Sequence, residues 1–148
     1  MIRKEVIVDT NALLIPGEFG VDIFEELARL GYVHILVPKK VLTELDRLRQ
    51  RPGLKGKEKI AANVGYSLIR KYIDTSGQER RSAGCMVSIS IEEVEVEGMK
   101  DTDAMIAALA LKRKAAVLTN DEELRTKLSH AGIATVYLRG GNRLVEGE

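Results

Sequence analysis

The chain has 148 residues, of which 45% are hydrophobic and 30% charged, with a formal net charge of +1; this fits one compact globular unit and excludes global disorder. No apolar run approaches the roughly 20 residues needed to cross a bilayer. Glu5 and Asp9 interrupt the first apolar stretch where a secretory leader needs an uncharged core, so a cytoplasmic protein with no membrane partner is expected.

Cys85 is the only cysteine, which rules out an internal disulfide and a multi-cysteine zinc site. His34 and His130 lie far apart in sequence, each in or beside an apolar segment, so a Ser-His-Asp or Cys-His arrangement has no support. With no Trp, two Phe and four Tyr, a stacking platform for single-stranded bases is not the design.

In chain order, the run VIV before Asp9 reads as a buried strand entering Thr10, Asn11 and a turn closed by Pro16 and Gly17. Residues 21–30 place Val21, Phe24, Leu27, Ala28 and Leu30 near one helical face, ended by Gly31. Residues 33–37 form a second short strand. A helix runs from Pro38 to about Arg49, with Val41, Leu42, Leu45 and Leu48 at helical spacing. A basic loop around Pro52, Gly53 and Gly56 leads into a longer helix over 57–73. Residues 74–84 read as a polar mobile segment, and MVSISIEEVEVEG alternates as one or two strands.

The strongest helix is 101–112, with Met105, Ile106, Leu109 and Ala110 on its apolar face and Thr102 or Asp103 as its cap. A strand over 115–118, the turn Thr119-Asn120-Asp121, a helix over 122–131 and a strand over 134–138 complete the pattern. Residues 139–148 are expected to be a loose, flexible tail. Alternating strands and helices of this length specify an α/β fold: a three-layer α/β/α sandwich with a central, mostly parallel sheet, as a single domain over 1–138. The apolar residues of the helices at 21–30 and 61–73 offer a stripe that either completes the core or supports a homodimer.

Charge is uneven along the chain. Residues 39–81 hold twelve Lys or Arg against five Asp or Glu, a balance of +7, so the remainder carries −6. A basic helical arm beside an acidic pocket suits a polyanion held by its phosphates. Arg51, Lys55, Lys57 and Lys59 are the candidate nucleic-acid contacts. The bland alternative is a solvated helical hairpin.

Asp9, Glu44, Asp103 and Asp121 each sit at or beside a strand-to-helix junction. Taken singly, each aspartate would serve equally well as a helix cap, and a helical Glu is most often exposed. Taken together, acids at equivalent stations of successive β-α units converge at the carboxyl edge of a parallel sheet. Two unit charges about 5 Å apart at an effective dielectric of roughly 20 repel by about 3 kcal/mol. Such a cluster calls for a hard cation, raised pKa values, or both. No GxxxxGK[ST] or GxGxxG loop points to a nucleotide-binding enzyme.

The ordered pieces VIVDTNALL, TELDRL, DTDAMIAALAL and LTNDEEL resemble the PIN-domain nucleases over roughly residues 5–138. The length and the basic insertion look like stand-alone members, including VapC-type toxins and the ribosomal-RNA-processing branch. The resemblance implies a metal-dependent endoribonuclease that uses Mg²⁺ or Mn²⁺ to hydrolyse RNA phosphodiester bonds, leaving a 5′-phosphate and a 3′-hydroxyl. It places Asp9, Glu44, Asp103 and Asp121 as catalytic metal ligands, with Asp101 competing with Asp103 for one place. Asn11, Thr119 and Asn120 become supporting polar residues. The implied partners are RNA and an antitoxin or ribosome-assembly protein. A non-catalytic RNA-binding scaffold on the same fold, a metal-dependent nuclease acting on DNA and a metal-dependent phosphatase are the alternatives.

Overall fold

A computed structural model of the chain describes residues 4–51, 56–75, 88–92 and 101–147. The elements run β1 (Lys4–Val8), α1 (Thr10–Phe19), α2 (Ile23–Arg29), β2 (Tyr32–Pro38), α3 (Lys39–Gln50), α4 (Gly56–Thr75), β3 (Ser88–Glu92), α5 (Thr102–Arg113), β4 (Ala116–Leu118), α6 (Glu122–His130), β5 (Thr135–Arg139) and β6 (Arg143–Gly147). The strands form one sheet in the order β3-β2-β1-β4-β5-β6. Every neighbouring pair is parallel except β5 with β6. Helices flank the sheet in the expected α/β/α arrangement.

The central strands bury both faces, as a sheet covered on two sides requires. Val6, Ile7 and Val8 of β1, Ile35, Leu36 and Val37 of β2, and Val117 and Leu118 of β4 are fully buried. Phe24, Leu13, Ile15, Leu27, Leu45 and Ile106 pack against them from the helices. The apolar spacing of 101–112 becomes α5, whose Met105, Ile106, Leu109 and Ala110 are buried.

The turn expected at Pro16-Gly17 is instead part of the C-terminal half of α1. Asp9 caps this helix by accepting from the Ala12 N–H at 2.7 Å. Pro16 removes one N–H within the helix, but Ala12, Leu13, Ile15 and Pro16 are all buried, and that packing outweighs the loss. Gly20, at φ 70°, ends the helix in the left-handed region, its N–H donating to the Pro16 carbonyl.

Helix α4 runs antiparallel across α1 at close range. A Cβ on Gly65 would lie 2.1 Å from the Leu13 carbonyl oxygen, and one on Gly17 would lie 2.4 Å from the Ala61 Cα. Glycine at both crossing points lets the backbones touch.

Two further expectations are corrected. Of the loose tail expected over 139–148, the described residues 139–147 are ordered: Arg143–Gly147 pairs with β5 as β6, and Glu26 and Arg29 of α2 grip the Leu144 backbone N–H and carbonyl at 3.0 and 2.8 Å. The α5 cap is Asp101, whose side chain accepts from the Asp103 N–H, rather than Thr102 or Asp103. Within MVSISIEEVEVEG only Ser88–Glu92 falls in the described residues as a strand, and the polar stretch beyond Thr75 lies outside them. The apolar stripe at 21–30 is core, with Ile23, Phe24 and Leu27 fully buried. On α4 the apolar residues divide: Ala61, Ala62 and Ile69 are buried, while Ile60 and Val64 are exposed.

Candidate active site

The sheet order reverses between β1 and β4, since β2 and β3 continue to one side and β5 and β6 to the other. At such a switch point the loops leaving adjacent strands diverge and open a crevice at the carboxyl edge. Val8 and Leu118, the last residues of β1 and β4, are in register, so Asp9 and Thr119 emerge side by side.

Asp9 is 6% exposed. One carboxylate oxygen accepts from the Ala12 N–H, and the other accepts a short hydrogen bond from the Thr119 hydroxyl. The same hydroxyl oxygen accepts from the Asp121 N–H at 3.1 Å. Thr119, fully buried, thus fixes Asp9 and the start of α6 with one group. Asp121 caps α6 by accepting from the Glu123 and Leu124 N–H groups.

Burial pushes the Asp9 carboxyl up to about 6; the charges of Asp103 and Asp121 add to the rise, and the hydrogen bonds from Thr119 and Ala12 oppose it. Asp103, in the first turn of α5, is also raised, by partial burial first and then by the charges of Asp101, Asp121 and Glu44. Lys127 on α6 pulls it the other way. Glu44 approaches from α3. Its Oε2 accepts from the Thr10 hydroxyl at 2.8 Å and its Oε1 from the Thr102 hydroxyl at 3.0 Å.

The four acids and Asp101 are therefore brought to one edge of the sheet, within reach of one another's fields. Asp101 is exposed and occupied as a cap, whereas Asp103 is half-buried and feels the charges of Asp101, Asp121 and Glu44. Among the described residues no three carboxylates or imidazoles close up into a ready cage for a cation. Every oxygen of Asp9 and Glu44 accepts from a hydrogen-bond donor instead.

Of the supporting residues expected, Thr119 is at the centre of the network, while Asn11 and Asn120 are exposed beside it. Thr10, Thr102 and Lys127 join the site without having been singled out for it. The signal for the threonines was their place directly after an aspartate, in DTN and DTD.

The basic residues are less close. Lys57 and Lys59 are exposed in the first turns of α4, which lies beside Gly17 and Phe19 at the far end of α1. From Asp9 to that end is about 12–15 Å along the helix. Arg51 is exposed where α3 ends, and Lys55 lies outside the described residues.

The chain is similar to several known proteins. Ribonuclease VapC9 of Archaeoglobus fulgidus is 28% identical over 138 residues, covering 93% of this chain and 85% of that protein. Ribonuclease VapC4 of Methanocaldococcus jannaschii is 25% identical over 139 residues, covering 91% and 90%. Among solved structures, the PIN domain endonuclease Utp24 superposes with a TM-score of 0.62 at 20% identity, covering 95% of this chain and 88% of that one. A domain of a functionally unknown protein from Methanocaldococcus jannaschii gives 0.59 at 22% identity, covering 98% and 95%. These likenesses in structure concern the fold alone. The sequence pattern described as PIN like domain matches residues 6–141; with 136 or so of its residues inside that pattern, the chain belongs to the PIN-like domain family.

Proposed function

We propose that the protein is a metal-dependent endoribonuclease of the VapC kind, with Asp9, Glu44, Asp103 and Asp121 holding Mg²⁺ or Mn²⁺. The observation that carries this reading is the buried Asp9 carboxylate, pushed up to about 6 by burial and by Asp103 and Asp121 beside it. A buried carboxylate that feels the charges of two further acids at a switch point is a standing electrostatic cost that a hard cation would reduce. The donor set, all carboxylate oxygen, fits such an ion. An open shell suits Mg²⁺, which keeps several waters and needs only one or two carboxylates to hold it.

Bound there, the ion would lower the pKa of a coordinated water and offset charge on the phosphate oxygens. The chain's own residues supply the rest. Thr119 locks the orientation of Asp9 and ties it to the α6 start that carries Asp121. Asp103 is half-buried in the first turn of α5, with Asp101 serving as its backbone cap. Lys127 places a positive charge on the rim, where a phosphate would approach. Arg51, Lys55, Lys57 and Lys59 would engage phosphates further along an RNA strand, and their contacts carry no sequence information.

Both curated relatives are ribonucleases by name, which favours RNA as the substrate and an antitoxin as the protein partner. The likeness to Utp24 is one of fold and adds nothing for ribosomal-RNA processing. The test is incubation with structured RNA, single-stranded RNA and DNA in EDTA, Mg²⁺ or Mn²⁺, for the parent and Asp9→Asn. Cleavage of RNA by the parent with either metal, lost in EDTA and in Asp9→Asn, is the expected result. Cleavage that survives both treatments would refute a metal nuclease, and salt-sensitive binding without cleavage under any metal would make the chain a scaffold.

A further inference from the structure

We propose that Thr10 and Thr102 are positioning residues that hold the Glu44 carboxylate in place for cation binding. This rests on the reading of the acids as a metal centre. It extends that reading to two hydroxyls that carry no charge and would not ligate the ion themselves.

Glu44 reaches the acids from α3, a helix seated on α4, α1 and β2. A glutamate side chain has three free torsions, and left alone it would leave a half-buried rim for water. Here both of its oxygens are taken: Thr10, the first residue of α1, donates to Oε2 at 2.8 Å, and Thr102, the first residue of α5, donates to Oε1 at 3.0 Å. An ionised carboxylate only accepts hydrogen bonds, and it offers about four lone-pair positions. Two donors fill one position on each oxygen and leave the other two open. The pair of hydroxyls therefore fixes the plane of the Glu44 carboxylate without blocking a cation.

The placement of the two threonines adds to the argument. Thr10 follows Asp9 and Thr102 precedes Asp103, so each donor is rigidly joined to a helix start that presents another acid. Glu44 is thereby registered against both neighbours at once. Partners of this kind around a metal ligand are worth about 10- to 100-fold in metal affinity.

The experiment is calorimetric titration of Mn²⁺ into the EDTA-stripped full chain. The variants are Thr10→Val, Thr102→Val, Thr10→Ser, Thr102→Ser, Glu44→Gln, Asp9→Asn, and each valine combined with Glu44→Gln. Each valine should weaken Mn²⁺ binding by about 10-fold or more, each serine should bind within about 3-fold of the parent, and the valines should cost almost nothing further once Glu44→Gln is present. A general structural disturbance would not spare the glutamine background. If the valines bind as the parent does while Asp9→Asn and Glu44→Gln are weakened, the positioning role is wrong and the metal centre stands. If Asp9→Asn itself binds Mn²⁺ like the parent, the metal centre fails and takes this inference with it. The serine variants decide the matter even where valine is not tolerated in the packing, because loss of affinity with the hydroxyl retained overturns the proposal.

Discussion

Asp9 costs the protein stability in proportion to how well it is placed. Its carboxyl is raised from 3.8 to about 6, a penalty of about 3 kcal/mol on the ionised form. The folded state thus holds a proton that the unfolded state releases across that window, so stability falls as pH rises from about 4 to 6 and stays lower above it. In EDTA, Asp9→Asn should melt higher than the parent at pH 8, and the gap should shrink toward pH 5; differential scanning calorimetry at the two pH values checks this. Asp9 was legible as a candidate because it closes a buried strand. The Thr10 and Thr102 hydroxyls on Glu44 were not, because they join residues 34 and 58 positions apart, and no local pattern announces a contact of that range.

At the scale of elements, a polar chain runs across three neighbouring strands. Arg113 and His34 both hold Glu5 of β1, at 2.9 and 2.7 Å, and the other His34 ring nitrogen meets the Ser90 hydroxyl of β3 at 2.8 Å. Arg113 above all keeps the Glu5 carboxyl below its usual range. The sequence left His34 as a structural or surface residue, and it proves to be a tie between the centre of the sheet and its edge. His34→Ala should raise amide exchange in 88–92 by roughly 2- to 12-fold, the worth of one side-chain hydrogen bond, with exchange in β4 unchanged. Boundaries of β1, β2, β4 and β5 and of α3, α5 and α6 followed from hydrophobic spacing to within a residue or two. Two elements did not. Helix α1 was obscured by Pro16-Gly17, a turn signal that tertiary packing overrides, and β6 was obscured by polar residues that an edge strand tolerates because only Leu144 is fully buried.

For the whole molecule, the α1–α4 crossing decides how the helical layer sits over the site. Gly65→Ala would drive a methyl into the Leu13 carbonyl, so one helix must back away. A loss of about 2–3 kcal/mol is expected, seen as a fall in melting temperature of roughly 6–12 °C. Gly56→Ala, with nothing within 4 Å, should be neutral. The three-layer architecture was readable from the order of apolar segments, yet this contact was not, since glycine in a helix carries no periodic signal.

The hydrogen bond between Thr119 and Asp9 joins residues 110 apart, and β4 is one of only two ladder partners of β1. On a ribosome adding about 5–20 residues per second, Asp9 exists for about 6–20 s before Thr119 and Asp121 are made. Through that interval the first strand has an open side and the acids have no common edge to meet at. The RNA-cutting centre proposed above therefore cannot assemble until Thr119 and Asp121 have been made, however early Asp9 emerges.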